Sequence, residues 1–348
     1  MTVVEATRDA RRLVVFALET AVVTACYFGA GRLGLLRRLV VEGAVVTPIW
    51  PPTGVAVAAL LILGPRAWPG IALGAFFIIA SISTPGPDTP VLVLGNTLAP
   101  LCAYLLLSRV GFRTDLSRLR DGLALVFLGA LTAMLISASI GVGTLVAAGK
   151  LAMDGFWLVW PAWWVGDAMG VLIVAPVLLL VYGARWPPRL SRWKEATALA
   201  IVAAVVVPVA VFDPVSLLFL VYPLIIWAAL RFQLAGSMLC ALFTSVVATF
   251  AATDGLGAFA RLAPVEVMMK LQAFNGTMAL TALLLSSVIT EQRNTRTSVE
   301  EACQELAEVL EHLTAADAPP LRAPADTEKT EKTEKTEKTE KGERRGAR

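Results

Sequence analysis

Apolar runs dominate the chain between residues 13 and 290, broken by short stretches rich in arginine, proline and glycine. Ten runs are long enough to read as membrane-spanning helices: roughly 13–31, 45–63, 68–83, 91–108, 122–148, 157–182, 196–212, 215–231, 235–253 and 268–290. The third is short, and the fifth and sixth exceed what a bilayer needs, so they tilt or project. Only "GPRAWPG" joins the second and third, which makes them a tight helical hairpin. After residue 290 the pattern changes. "EQRNTRTSVEEACQELAEVLEHL" is polar and helix-forming, and Val299, Cys303, Leu306, Leu310 and Leu313 recur at the spacing of a coiled-coil seam. A proline-containing linker then leads into "TEKTEKTEKTEK". With no apolar residue to bury, 314–348 is expected to be disordered.

The pattern therefore predicts an all-α, polytopic integral membrane bundle of about ten transmembrane helices, eight being the alternative count. Residues 1–12 form a cytoplasmic N-terminus, 13–290 the membrane domain, 291–313 a short cytoplasmic helix and 314–348 the tail. Loop charge sets the orientation. With the N-terminus inside, the inner segments carry Arg8, Arg11 and Arg12; Arg66; Arg109, Arg113, Arg118 and Arg120; Arg185, Arg189, Arg192 and Lys194; Arg231; and Arg293 and Arg296. The outer loops carry Arg32, Arg37, Arg38, Lys150, Arg261 and Lys270. Both termini are thus expected in the cytoplasm and the protein in the plasma membrane.

Composition agrees. Of 348 residues, 57% are hydrophobic and 16% charged, against about 25% charged in ordinary soluble domains, and the mean hydropathy is +0.70. A net charge of +3 suggests no nucleic-acid partner. The first apolar run is long, contains Glu19 and precedes further runs, so it reads as an uncleaved span. Cys26, Cys102, Cys240 and Cys303 show no metal-ligand spacing or disulfide framework. His312 is the single histidine, which excludes a histidine-based metal site or a Ser-His-Asp triad in the membrane part. No catalytic residue, metal or cofactor is expected.

A few polar residues stand out against the apolar background. Asp167, in "WPAWWVGDAMG", lies well inside the sixth run. A carboxylate there either fixes packing through a hydrogen bond or ion pair, or serves ligand or proton sensing. Glu19 reads as a second buried carboxylate, with a packing role favoured. Arg231 either snorkels at a helix end or pairs with a carboxylate in the bundle, Asp167 being one candidate. Trp157, Trp160 and Trp164 share a helix face that Asp167 continues, as an interfacial belt or a pocket wall. Trp50, Pro51, Pro52, Thr53 and Gly54 open the second run, and "WPA" (160–162) lies at the corresponding end of the sixth. Helix starts recessed into the membrane leave N–H groups directed into the bundle, which is tolerated where protein or a watered cavity covers them. The bland reading is a loop that ends and a helix that begins. The expected cavity opens outward and is bordered by Asp167, Trp50, Thr53, Asn96 and Trp164. "GAGRLG" (29–34) matches a dinucleotide-binding pattern by letter but lacks the strand–turn–helix context the chemistry needs.

The stretches "PIWPPTGVAVAALLILG", "RAWPGIALGAF", "GNTLAPLCAYLL", "WWVGDAMGVLIVAPVLL" and "YPLIIWAALRF" together resemble the first class of membrane-associated sensor domains, MASE1, of bacterial signalling proteins. The resemblance covers about residues 10–290. It implies an input module usually fused to a histidine kinase, a cyclic-dinucleotide enzyme or a PAS domain. By position the motif residues are Trp50, Pro51, Pro52, Thr53, Gly54, Trp68, Asn96, Trp164, Asp167, Gly170, Trp227 and Arg231. "GNTLAP" lacks the acidic residue that follows Gly-Asn in many relatives, and the residues after 290 are too few for an output core. The expectation is a sensory domain without its own catalytic output. Its expected partners are membrane lipid, an unknown small-molecule ligand, a separate histidine kinase or cyclic-dinucleotide enzyme, and a second copy in a homodimer held mainly by the membrane part. The alternatives are a transporter or channel-like protein, or a remnant that has lost its output.

Overall fold

A computed structural model describes residues 3–41, 43–184 and 192–317. Its helices are α1 (Val3–Leu35), α2 (Pro51–Leu63), α3 (Trp68–Ile82), α4 (Thr89–Arg109), α5 (Leu119–Ala147), α6 (Met153–Gly183), α7 (Trp193–Phe212), α8 (Val221–Thr253) and α9 (Pro264–Asp317). Among the described residues eight helices are long and apolar enough to cross a membrane, and the short α2 is the exception. The fold is an all-α polytopic bundle.

Three local features depart from the apolar pattern. The second run begins as helix at Pro51, not at residue 45. Residues Leu39–Val41 (β1) and Ala44–Val46 (β2) form an antiparallel hairpin there, pairing Leu39 with Val46. The eighth and ninth runs are two helical segments, 221–232 and 234–253, grouped here under α8 and separated at Gln233, whose φ of 54° and ψ of −140° are non-helical. α5 and α6 each contain a π-helical stretch, Leu125–Thr132 and Gly170–Val174.

Among the described residues the bundle through residue 293 holds three buried apolar clusters. Tyr27, Ala56, Leu60, Ile71 and Ile78 belong to the first; Val57, Ala58, Leu107, Leu172, Ile225 and Leu283 to the second; Ala44, Val46, Val142, Val159 and Met268 to the third. α2 contributes to the first two. A helix apolar on every side is the kind that sits inside a bundle, and eight of its residues are buried. It ends at Gly64, whose positive φ (78°) a glycine adopts at little cost, and whose N–H donates to Leu60 O at 2.9 Å. The "GAGRLG" stretch lies inside α1 as a packing seam. A Cβ at Gly31 would meet Ile78 at 2.7 Å, and one at Gly34 would meet Pro51 at 2.9 Å.

The ends of the bundle are internally consistent. At one, Lys150 pairs with Asp88 and Arg37 with Asp254. At the other, Leu119 N–H donates to Glu291, Arg293 to Leu230 O, and Arg192 to Arg231 O. The loops assigned by charge to one side therefore meet one another.

The second unit, from residue 294, is described to Asp317 and is helical that far. Val299 and Leu306 of the expected seam are exposed. Residues 314–317 are thus helical, past the boundary drawn at 313. The remainder of the expected tail, with Arg185 and Arg189 of the charge count, lies outside the described residues.

Candidate functional site

Asp167 sits in α6 about 16 Å along the axis from Phe156, at 1.5 Å per residue. Gly166 and Gly170, four residues apart, share one face of that helix. A Cβ at Gly166 would meet Thr47 O at 2.6 Å; at Gly170 it would meet Trp50 O at 2.0 Å and Thr53 Oγ1 at 2.4 Å; at Gly54 it would meet Gly170 O at 2.2 Å. The start of α2 therefore lies backbone against backbone on the middle of α6, the close approach by which helices associate in lipid. Trp50 N–H donates to Gly166 O at 2.9 Å. The Thr53 hydroxyl, with one proton to give, lies 2.6 Å from Trp50 O and 3.0 Å from Asp167 O.

This contact explains the paired prolines. α2 starts deep in the bundle, where N–H groups at a helix start would lack acceptors. Pro51 and Pro52 occupy its first two positions and carry no N–H, and Thr53 N–H donates to Trp50 O at 3.3 Å. The expectation of free donors directed inward is corrected at these two positions: the prolines remove them. Pro161 is a second correction. It lies inside the helix Phe156–Met169, not at its start.

A cavity of about 350 Å³ opens beside this seam. Asp167, Asn96 and Thr47 line its buried end, at 0%, 7% and 8% exposure. Trp50 and Trp163 stand in its walls, and Arg38, Lys150 and Asp88 at its exposed end. Both Asp167 carboxylate oxygens lack a hydrogen-bond partner. Ser137 and the Trp163 indole face the carboxylate, but the Ser137 hydroxyl is itself unpartnered. Buried Tyr27, within electrostatic reach of Asp167, donates its hydroxyl to Asn96 Oδ1 at 3.4 Å, and Asn96 Nδ2 donates to Leu92 O at 2.9 Å. At the mouth, Lys150 Nζ donates to Asp88 Oδ2 at 2.6 Å, which holds the Asp88 carboxyl below the usual carboxylate range. Arg38 has no ion-pair partner among the described residues.

Of the residues expected here, Trp50, Asn96 and Asp167 line the cavity. Thr53 is sealed between α2 and α6 behind it. Trp164 and Trp160 stand elsewhere: Trp164 Nε1 donates to Leu131 O at 2.8 Å, Trp160 Nε1 donates to Ser139 Oγ at 3.1 Å, and the rings stack at 5.8 Å. The reason is register. Trp163 and Trp164 flank Asp167 about 40° and 60° to opposite sides of the helix axis, and the cavity lies on the side of Trp163. Pro51, Pro52, Gly54 and Gly170 build the seam. Trp68 and Trp227 are exposed on the bundle surface. Arg231 does not reach Asp167; it pairs with Glu195, Nη2 to Oε1 at 2.6 Å. Glu19 is half-buried, not buried, in a surface groove with Arg11, Arg12 and Arg66.

Tyr27, Ser137, Trp163, Arg38, Lys150 and Asp88 were not among the expected site residues. Trp163 is legible as the residue four before Asp167. The others come from separate helices and loops and have no spacing relation to it. Among the described residues no three or more His, Cys, Asp or Glu are grouped to hold a metal.

The MASE1 family model matches residues 20–293. No curated protein and no solved structure matches the chain.

Proposed function

The chain belongs to the MASE1 family of membrane sensory domains of signalling proteins, and we propose that it is an input module whose ligand enters the Asp167 cavity from outside the cell. In this reading both termini face the cytoplasm of a plasma-membrane protein. The domain lacks catalytic output of its own and drives a separate histidine kinase or cyclic-dinucleotide enzyme through the helix after residue 290. One observation carries it: a fully buried carboxylate with neither oxygen partnered, at the closed end of a cavity. Such a group is costly in a membrane protein and is characteristically functional.

The test uses the full chain with its output partner. Asp167→Asn keeps the shape and removes the charge; it should leave folding intact and abolish the response. Asp167→Leu separates a packing role, because a structural polar group can be exchanged for an apolar one of similar size at little cost. Cysteines at positions 96 and 163 should react with an impermeant thiol reagent from outside. Full signalling by Asp167→Leu together with two unreactive cysteines would sink the proposal. Polar groups buried inside the bundle also suit a transport reading; solute flux in proteoliposomes, lost in Asp167→Asn, would favour it instead.

A further inference from the structure

The cavity is electrically polar along its length. Its buried end holds Asp167, fully buried and unpartnered. Its exposed end holds Arg38, Lys150 and Asp88. Lys150 and Asp88 neutralise one another at 2.6 Å, which leaves Arg38 as the uncompensated charge at the mouth among the described residues. Between the ends stand two indoles, Trp50 and Trp163. We infer that the ligand is a small zwitterion that places an ammonium group against Asp167 and an anionic group at Arg38. The inference rests on the reading of this cavity as a ligand site and names the ligand's class.

Each part of the site selects for one part of that molecule. An uncompensated carboxylate in a low-dielectric interior is stabilised by a cation brought to it. The two indoles in the walls add aromatic surface, which an organic ammonium tolerates better than an anion does. A bare metal ion is a poor fit. Calcium takes about six to eight oxygen ligands and magnesium a near-octahedral set, whereas one side-chain carboxylate lines the buried end and the Asn96 side-chain oxygen already accepts from Tyr27. A purely cationic ligand would leave Arg38 unanswered, and a purely anionic one would meet Asp167. At about 350 Å³ the space lies at the small end of ligand pockets, about 300–1,000 Å³, which suits an amino acid or a betaine. Arg38 also steers the anionic end and so orients entry.

The experiment titrates the purified full chain in lipid nanodiscs and follows tryptophan fluorescence. The panel is the common amino acids, γ-aminobutyrate, glycine betaine and carnitine, with choline as the cation-only control and pivalate as the anion-only control. At least one zwitterion should bind, at least tenfold more tightly than either control. Arg38→Gln should lower its affinity about tenfold or more, and Asp167→Asn should abolish binding. Choline or pivalate binding as tightly as the best zwitterion overturns the inference, as does an Asp167→Asn or Arg38→Gln variant with unchanged affinity or a panel silent at millimolar concentration. Outside labelling of cysteines at 96 and 163 separates the two levels. Reactive cysteines with a silent panel overturn the zwitterion alone; unreactive cysteines together with full signalling by Asp167→Leu overturn the ligand-site reading with it.

Discussion

At Gly170 a methyl group would stand 2.0 Å from Trp50 O, a backbone atom with no freedom to turn aside. Gly170→Ala should therefore lower stability by about 1–3 kcal/mol or more, the usual range for overpacking, and disturb the neighbouring Asp167. Gly143→Ala is the control. Apart from its own stretch of helix backbone, nothing lies within 4 Å of its Cβ position, so the change should be neutral or stabilising by up to about 1 kcal/mol. Thermal unfolding of the two variants in the same detergent checks both; equal loss of stability would show that the seam is looser than described. The same residues show what could be read from the chain. Asp167, Trp50 and Asn96 were legible because a polar or proline-flanked residue in an apolar run demands a reason. Which indole faces the carboxylate was not, because residues 163 and 164 are both within a third of a turn of it. Only the packing of α2 against one side of α6 decides between them.

Each of the ten apolar runs has a helical counterpart, since run length and apolarity are properties of the local sequence. The boundaries are less legible. α2 starts at Pro51 because residues 44–46 are taken by strand pairing with 39–41, a demand from outside the run. The gap between the eighth and ninth runs coincides with the break at Gln233, but the π-helical stretches of α5 and α6 left no periodic trace. The loops before α4 and α6 are joined by Lys150 and Asp88, and this link should respond to acid. Lys150 holds the Asp88 carboxyl below its ordinary range, so the ionised form favours the folded link. Its contribution is present above about pH 4, the unfolded value, and is lost as pH falls through the lower folded value. Hydrogen exchange in residues 83–89 and 148–155 should show protection greater in the native chain than in Lys150→Met near neutrality. The two should converge in acid. A difference that persisted unchanged to pH 2 would mean that the Lys150 stem, not its charge, holds the loops.

Across the whole molecule, the loops carrying Arg37, Asp88, Lys150 and Asp254 gather at one end, and Leu119, Arg231, Glu291 and Arg293 at the other. If the arginine-rich end is cytoplasmic, reporter fusions after residues 88, 152 and 258 should report an external location, and fusions after 115, 190 and 300 an internal one. An external reporter after 300 would reverse the scheme. The count of eight long helices against ten runs has two sources: the eighth and ninth runs share α8, and α2 is short. At about 20 Å, at 1.5 Å per residue, α2 is shorter than the roughly 30 Å hydrocarbon core, because its entry is a hairpin and a recessed turn at the depth of Asp167. The seam between α2 and α6 also sets how the pocket can change over evolutionary time. Main chain pressed on main chain has no rotamers to exchange, so that wall is a fixed mould. The opposite wall is made of side chains, Ile78, Ile79 and Leu92 of α3 and α4, which swap for one another cheaply. New chemical preferences should therefore arise by redrawing the second wall while the first stays untouched, as a lock is rekeyed by changing its pins and leaving its barrel.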